Sequence, residues 1–239
     1  MASWPISFLE VAPQHPHAQG HESHVRRCGG VEATRRPCLF PLSQLNWRVK
    51  MLRERILELG HVLPGDILNV NAFLNHQLDT KLLVQIGKTF ARHFRDGDVT
   101  KVVTIETSGI AAAVTTGIEL QVPVVFARKA RPSTIGSDHY SAPAYSYTKQ
   151  VQSDVIIARQ FLGPKDRLLV VDDFLARGEA LSALTSIINQ ASATLAGVGI
   201  VIEKTFQGGG EKIRAAGHEV FALARIKSLS PPNHIEFLD

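Results

Sequence analysis

Residues 168–184, LLVVDDFLARGEALSAL, constrain this chain more than any other stretch. Four apolar residues run straight into two adjacent carboxylates, Asp172 and Asp173, and then into a short loop, Ala176-Arg177-Gly178-Glu179-Ala180, that opens a helix. An unbroken apolar run has no polar face to turn to water, so it reads as a strand buried on both sides, in a parallel sheet covered by helices. The rest of the chain keeps the same alternation: helix-like 81–95, β-like 101–106, a small-residue helix 109–120, β-like 122–127, two strand-like runs AYSYTK and DVIIAR, a helix 179–191, a strand 196–203, a helix 211–216 and a strand 219–225. The expected fold is α/β and doubly wound, a class that takes its ligands at the carboxyl ends of the strands.

The chemistry of that stretch follows from its parts. Backbone amides of a glycine-containing turn at a helix start make a nest for a phosphate, and carboxylates at a strand end accept hydrogen bonds from sugar hydroxyls. Phosphate on one side and a diol on the other describe a ribose-5-phosphate site. The same residues also fit a buried strand that ends in an ordinary acidic turn, and the motif alone leaves both readings open.

Charge narrows the partners. The formal net charge is +4, but residues 1–50 hold six Lys/Arg against three acids, so the body of the chain is nearly neutral and offers no footprint for a nucleic-acid backbone. No stretch approaches the roughly 18 consecutive apolar residues of a membrane span, and the start lacks the basic and small-residue pattern of a secretory signal. A cytoplasmic protein is expected, with no membrane partner. Cys28 and Cys38 are too few for a disulfide framework and lack zinc-site spacing.

Composition shifts near residue 50. Both cysteines, both tryptophans and five of the twelve prolines lie before it. Residues 1–47 read as a poorly ordered extension, and 48–239 as the folded domain. Within that extension His15, His17, His21 and His24 are read as a solvated polar cluster rather than a metal site, since no acid or cysteine fixes a geometry. The amphipathic stretch MLRERILELG opens at Met51, where a native start is one reading, and stops at Gly60.

VVDDFLARG resembles the phosphoribosyl-diphosphate (PRPP) motif of the type I phosphoribosyltransferases, and the resemblance extends over residues 51–229 in order. IETSGIAAAV (105–114) is similar to the family's pyrophosphate loop, VVFARK (124–129) to its strand ending in a basic pair, and AYSYTKQ (144–150) to its flexible hood strand. VNAFLNHQLD (70–79) and IVIEKTFQGGG (200–210) are similar to segments of the bacterial xanthine-specific branch.

That resemblance implies a mostly parallel central sheet flanked by helices, with a small hood from about 60–80 together with the segment 204–239. It implies that Ala176, Arg177, Gly178, Glu179 and Ala180 hold the 5′-phosphate, that Asp172 and Asp173 contact the ribose hydroxyls, and that Glu106, Thr107, Ser108 and Gly109 hold pyrophosphate. In this family the Glu106–Gly109 loop often carries a non-proline cis peptide; Thr107 or Ser108 also suits a helix N-cap. Arg128 and Lys129 would neutralise the leaving group, and Tyr145, Ser146, Tyr147, Thr148 and Lys149 would close over the reaction. Leu68, Asn75 and Lys204 would take the base, with Phe206 stacking on it. The implied reaction transfers the 5-phosphoribosyl group of PRPP to xanthine, giving xanthosine 5′-monophosphate and pyrophosphate in purine salvage, with Mg2+ carried by PRPP without direct protein ligands, in a homodimer. Guanine or hypoxanthine as the preferred base is the alternative within the enzyme class, and a PRPP-sensing purine regulator the alternative outside it.

Three positions depart from the family pattern. Arg177 stands where a small hydroxyl or amide is usual, and Glu179 puts a carboxylate beside the phosphate. Ala176 stands where hypoxanthine-guanine enzymes place an Asp that deprotonates the base.

Overall fold

The computed structural model describes residues 43–130, 137–146, 151–231 and 233–238. The histidine cluster 15–24, Cys28 and Cys38, and hood residues Tyr147, Thr148 and Lys149 lie outside them. The chain opens with helix α1 (Ser43–Leu59) and a short hairpin, β1 (His61–Leu63) and β2 (Ile67–Asn69). A single π turn, Asn71–Asn75, leads to α2 (Thr80–His93), capped by Asp79, whose carboxylate accepts from Leu82 N at 3.1 Å. Then follow β3 (Lys101–Ile105), α3 (Gly109–Leu120), β4 (Val124–Ala127), the antiparallel pair β5 (His139–Ser146) and β6 (Val151–Ala158), β7 (Arg167–Leu175) and α4 (Glu179–Gln190). Strand β8 (Thr194–Lys204), α5 (Gly209–Ala215), β9 (Val220–Ser230) and β10 (His234–Phe237) complete it.

Six strands form the central sheet in the order β10-β9-β8-β7-β3-β4, all parallel except β10. Period-two alternation sorts its side chains. On β7, Leu169 and Val171 join the core under α1, α2 and α3, while Leu168 and Val170 join the core under α4 and the β5–β6 pair. Burial on both faces explains why LLVV has no polar residue. The chain leaves β3 for β4 on one side and returns through β7 on the other, so the strand order reverses between β3 and β7, where a doubly wound sheet opens a crevice.

Four elements differ from the sequence expectation. Helix α1 starts at Ser43, upstream of Met51, because Ser43 after Pro41 is itself a start signal and the residues between continue the helix. Strands β1 and β2 have three residues each, too few to show a period, and β10 follows a proline pair that hid it. No helix among the described residues is long and apolar enough to cross a membrane.

Candidate active site

Because β3, β4, β7 and β8 are parallel, their carboxyl ends arrive at one edge of the sheet. The Glu106–Gly109 loop follows β3, Arg128 and Lys129 follow β4, Asp172 and Asp173 lie near the carboxyl end of β7, and Lys204 ends β8. Leu175, one residue before the Ala176–Ala180 loop, pairs with Glu203, one residue before Lys204. Strand register thus brings the two loops that the sequence separates by 24 or more residues side by side.

The Glu106–Thr107 peptide is cis and not followed by proline. Ser108 occupies the N-cap position of α3 and makes no side-chain capping bond, while Ile110 N donates to Thr107 O at 3.2 Å. Gly109 is buried against β3 and β7, where a Cβ would land on Asp172 Oδ1 and Thr104 Oγ1. Thr104 is fully buried and its hydroxyl has no hydrogen-bond partner. The loop acid is committed within the site: Glu106 Oε2 lies 2.9 Å from Arg128 Nε, and Glu106 Oε1 accepts from Lys129 N at 2.7 Å. Arg128 also exchanges both backbone hydrogen bonds with Ile156 at 2.9 Å, so it is anchored to β6, whereas the Lys129 side chain is exposed. Of the two cations, Lys129 is the one whose charge acts on both Asp172 and Asp173.

Asp172 and Asp173 are half-buried, and Asp173 N donates to Asp172 Oδ1 at 3.0 Å. Desolvation, and after it the charge of Asp173, push the Asp172 carboxyl well above the usual carboxylate range; Asp173 is raised as well, chiefly by burial. Such a pair calls for a positive counterpart or for hydroxyl donors.

In the next loop Gly178 adopts the left-handed conformation with φ +86°, which lets the chain turn into α4, and its carbonyl accepts from Ser182 N at 2.8 Å. Arg177 is exposed, and Glu179 is the first residue of the helix, where its charge suits the dipole. Gly209 N donates to Ala176 O at 3.0 Å, tying the start of α5 to this loop.

The proposed base residues come from two distant segments. The β1–β2 hairpin turns through Gly65 and Asp66, both at positive φ, and Lys204 Nζ donates to Asp66 O at 2.7 Å across 138 residues of sequence. Lys204 Nζ also lies 5.4 Å from the centroid of the Phe174 ring. Burial lowers the Lys204 pKa, opposed by the charge of Asp66. Leu68 is buried in β2, and Asn75 closes the π turn with its Oδ1 buried and unpaired. Phe206 stands 40% exposed on a 3-10 turn after Lys204, and the ring that Lys204 Nζ approaches is that of Phe174. Sequence reasoning passed over Phe174, although it directly follows the carboxylate pair, and over Asp66, although Pro64-Gly65-Asp66 between apolar residues is a hairpin signal. Tyr145 and Ser146 lie at the end of β5, paired with Gln152 and Val151.

Known proteins resemble this chain closely. It is 50% identical over 191 residues to the xanthine phosphoribosyltransferase of Moorella thermoacetica, covering 80% of this chain and 97% of that protein. It is 50% identical over 191 residues to that of Stutzerimonas stutzeri and 48% identical over 189 residues to that of Pediococcus pentosaceus, both covered in full. No protein-family model matches. Among solved structures, adenine phosphoribosyltransferase of Trypanosoma brucei, in complex with AMP, pyrophosphate and ribose-5-phosphate, superposes with a TM-score of 0.64 at 18% identity, over 76% of this chain and 82% of that one. The adenine phosphoribosyltransferase of Thermoanaerobacter pseudethanolicus superposes with a TM-score of 0.62 at 18% identity, over 74% and 99%. At that identity the likeness speaks for the fold, which is that of the type I phosphoribosyltransferases.

Proposed function

The chain belongs to the xanthine phosphoribosyltransferase family, and from that premise we propose that it transfers the 5-phosphoribosyl group of PRPP to xanthine, giving xanthosine 5′-monophosphate and pyrophosphate. The observation that carries this reading is the adjacency of the Ala176–Ala180 loop and Lys204 on the paired ends of β7 and β8. A phosphorylated sugar and a base held there lie side by side.

In this reading the amides at the start of α4 take the 5′-phosphate, with Arg177 adding charge at the rim. Asp172 and Asp173 accept from the ribose hydroxyls, which satisfies the carboxylates without a protein cation. Amides of Thr107, Ser108 and Gly109 hold the pyrophosphate, and Lys129 neutralises it as it leaves. Arg128 acts more indirectly, since Glu106 already engages it and is thereby kept from facing the pyrophosphate as a bare anion. The imidazole nitrogen of the base attacks the anomeric carbon as the C–O bond to pyrophosphate breaks, with inversion. Nothing covalent forms with the protein, so rate comes from positioning and charge neutralisation.

The hard oxygen donors Asp172 and Asp173 fit a Mg2+ ion carried in by the substrate, which would supply positive charge to offset that of the pyrophosphate. The reading includes a homodimer, for which exposed Val114 and Ile118 on α3 and Phe126 on the outer strand β4 offer apolar surface.

Base choice follows from donor and acceptor order. Xanthine presents N–H and C=O groups in alternation, and an Asn side chain matches one such pair, accepting through Oδ1 and donating through its amide. The buried Oδ1 of Asn75 has no hydrogen-bond partner in the structure, so it can accept such an N–H. Guanine sets an amino group where xanthine has a carbonyl and would oppose donor to donor. Lys204 then donates to a carbonyl of the ring, and because xanthine ionises near neutral pH, the absence of a carboxylate at position 176 leaves no step unserved.

Asn75→Asp tests this assignment. The carboxylate accepts from both donors of guanine and repels the xanthine carbonyl, so the guanine-to-xanthine ratio of kcat/KM rises by about a hundredfold or more over the wild type. An unchanged ratio would remove Asn75 from the base site, and a wild type that uses neither base would defeat the reading as a whole.

A further inference from the structure

Glu203 is the one acidic side chain among the described residues that is fully buried, at 1% exposure. Arg214 of α5 grips it with two hydrogen bonds, Nη1 to Oε1 at 2.7 Å and Nη2 to Oε2 at 2.8 Å, and Arg225 of β9 sets its Nε 3.3 Å from Oε2. Bringing a carboxylate inside is unfavourable unless it is paired, and two guanidinium groups on different elements supply the pairing. Arg214 Nη2 also donates to Val220 O at 3.3 Å, so one cluster joins β8, α5 and β9.

What the cluster holds in place lies toward the site. Gly210 packs directly on it, since a Cβ there would overlap Glu203 Oε1 and stand 2.6 Å from Arg214 Nη1. Its neighbour Gly209 packs on the phosphate loop: a Cβ there would overlap Ala176 O and stand 2.7 Å from Gly178 N and 2.8 Å from Arg177 C, all backbone atoms that cannot swing aside. The Gly209 N to Ala176 O bond, at 3.0 Å, closes the contact. Position 203 is also the β8 partner of Leu175, the last residue before that loop, and the immediate neighbour of Lys204.

We propose that Glu203, through Arg214 and the Gly209–Gly210 turn, is a positioning residue that sets the shape of the Ala176–Ala180 loop and so the affinity for PRPP. This rests on the phosphoribosyl-transfer reading above and deepens it. The segment 203–214 then serves both halves of the reaction, Lys204 toward the base and Gly209 toward the phosphate loop, with one buried ion cluster holding them in register. A purely structural cluster would instead hold α5 on the sheet without any bearing on PRPP.

The test compares Gly209→Ala, Glu203→Gln and a control, Gly217→Ala, in the full chain. Gly217 has φ +86° and nothing near its missing Cβ, so alanine there strains the far end of α5 without reaching the loop. Steady-state KM values for PRPP and xanthine, and the rise in melting temperature produced by Mg-PRPP, are measured for each. Gly209→Ala and Glu203→Gln are expected to raise the PRPP KM by about ten- to a hundredfold, more than they change the xanthine KM, and to shrink the Mg-PRPP shift. Gly217→Ala is expected to lower the melting temperature with the PRPP KM unchanged. If Gly209→Ala and Glu203→Gln also lower only the melting temperature, the positioning role is overturned. Should Glu203→Gln fail to fold, Gly210→Ala decides by the same measurements, because a Cβ there presses on Glu203 and Arg214 rather than on the phosphate loop and leaves the cluster's charges in place. A wild type that binds Mg-PRPP but forms no nucleotide would defeat the transfer reading, and the PRPP-induced shift would still decide this inference.

Discussion

Asp172→Asn is expected to melt at a higher temperature than the wild type at pH 8 and to turn over about a hundred- to a thousandfold more slowly. Both effects have one origin. The Asp172 carboxyl is raised well above the ordinary carboxylate range by desolvation first and by the charge of Asp173 second. A folded-state pKa above the unfolded value means that the protonated carboxyl contributes stability, fully present below the unfolded pKa and lost as pH rises through the raised folded value. The free wild type is therefore least helped by this group at neutral and alkaline pH, where asparagine, which mimics the protonated form, removes the penalty. Catalysis needs the opposite state. Ribose hydroxyls donate to an ionised carboxylate, so PRPP affinity in the wild type should increase with pH over the same window in which stability declines, and asparagine should abolish that trend. Melting curves at pH 5 and pH 8 with and without Mg-PRPP, together with initial rates, check both halves. A variant less stable than the wild type at pH 8 would show that Asp172 is instead stabilised in its charged form.

Lys204→Met is expected to lower kcat/KM for xanthine by roughly a hundredfold while PRPP still binds. Methionine keeps the length of the side chain over the Phe174 ring but removes every donor, so the base loses a charge-assisted hydrogen bond and the hairpin loses the Lys204 Nζ to Asp66 O contact of 2.7 Å. An ammonium has three donors, and one can stay on Asp66 O while another faces the base. The Mg-PRPP-induced rise in melting temperature should be close to that of the wild type, since Lys204 does not form the phosphate loop. A loss of that rise with an unchanged xanthine KM would move Lys204 from the base to the phosphate.

The strand-to-loop stretch around Asp172 was legible because burial on both faces of β7 leaves no polar residue until the carboxyl end, and the same physics marked β3 and β8. The glycine-containing turn after β7 was readable as phosphate-binding chemistry for that reason, whereas the roles of the loop after β3 and of Lys204 after β8 came from the family resemblance. Contacts between segments were not. Nothing local to Lys204 announces Asp66, which reaches it only through a hairpin of two three-residue strands. Arg128 and Lys129 read alike as free cations after β4, yet Glu106 engages the first by its guanidinium and the second only by its backbone N–H. Gly209 is the middle one of three consecutive glycines, and nothing in that run tells that its missing side chain is what admits the backbone of residues 176–178. Such roles depend on neighbours supplied by the fold, and a single sequence carries no signal for them beyond the residue type.

The most direct test of phosphoribosyl transfer to xanthine is one incubation of the purified protein with Mg2+, PRPP and an equal mixture of xanthine, guanine, hypoxanthine and adenine, with the nucleotides separated and weighed at early times. Xanthosine 5′-monophosphate should accumulate fastest, with pyrophosphate released in equal amount. Faster formation of guanosine, inosine or adenosine monophosphate, or PRPP binding without any nucleotide, would contradict it.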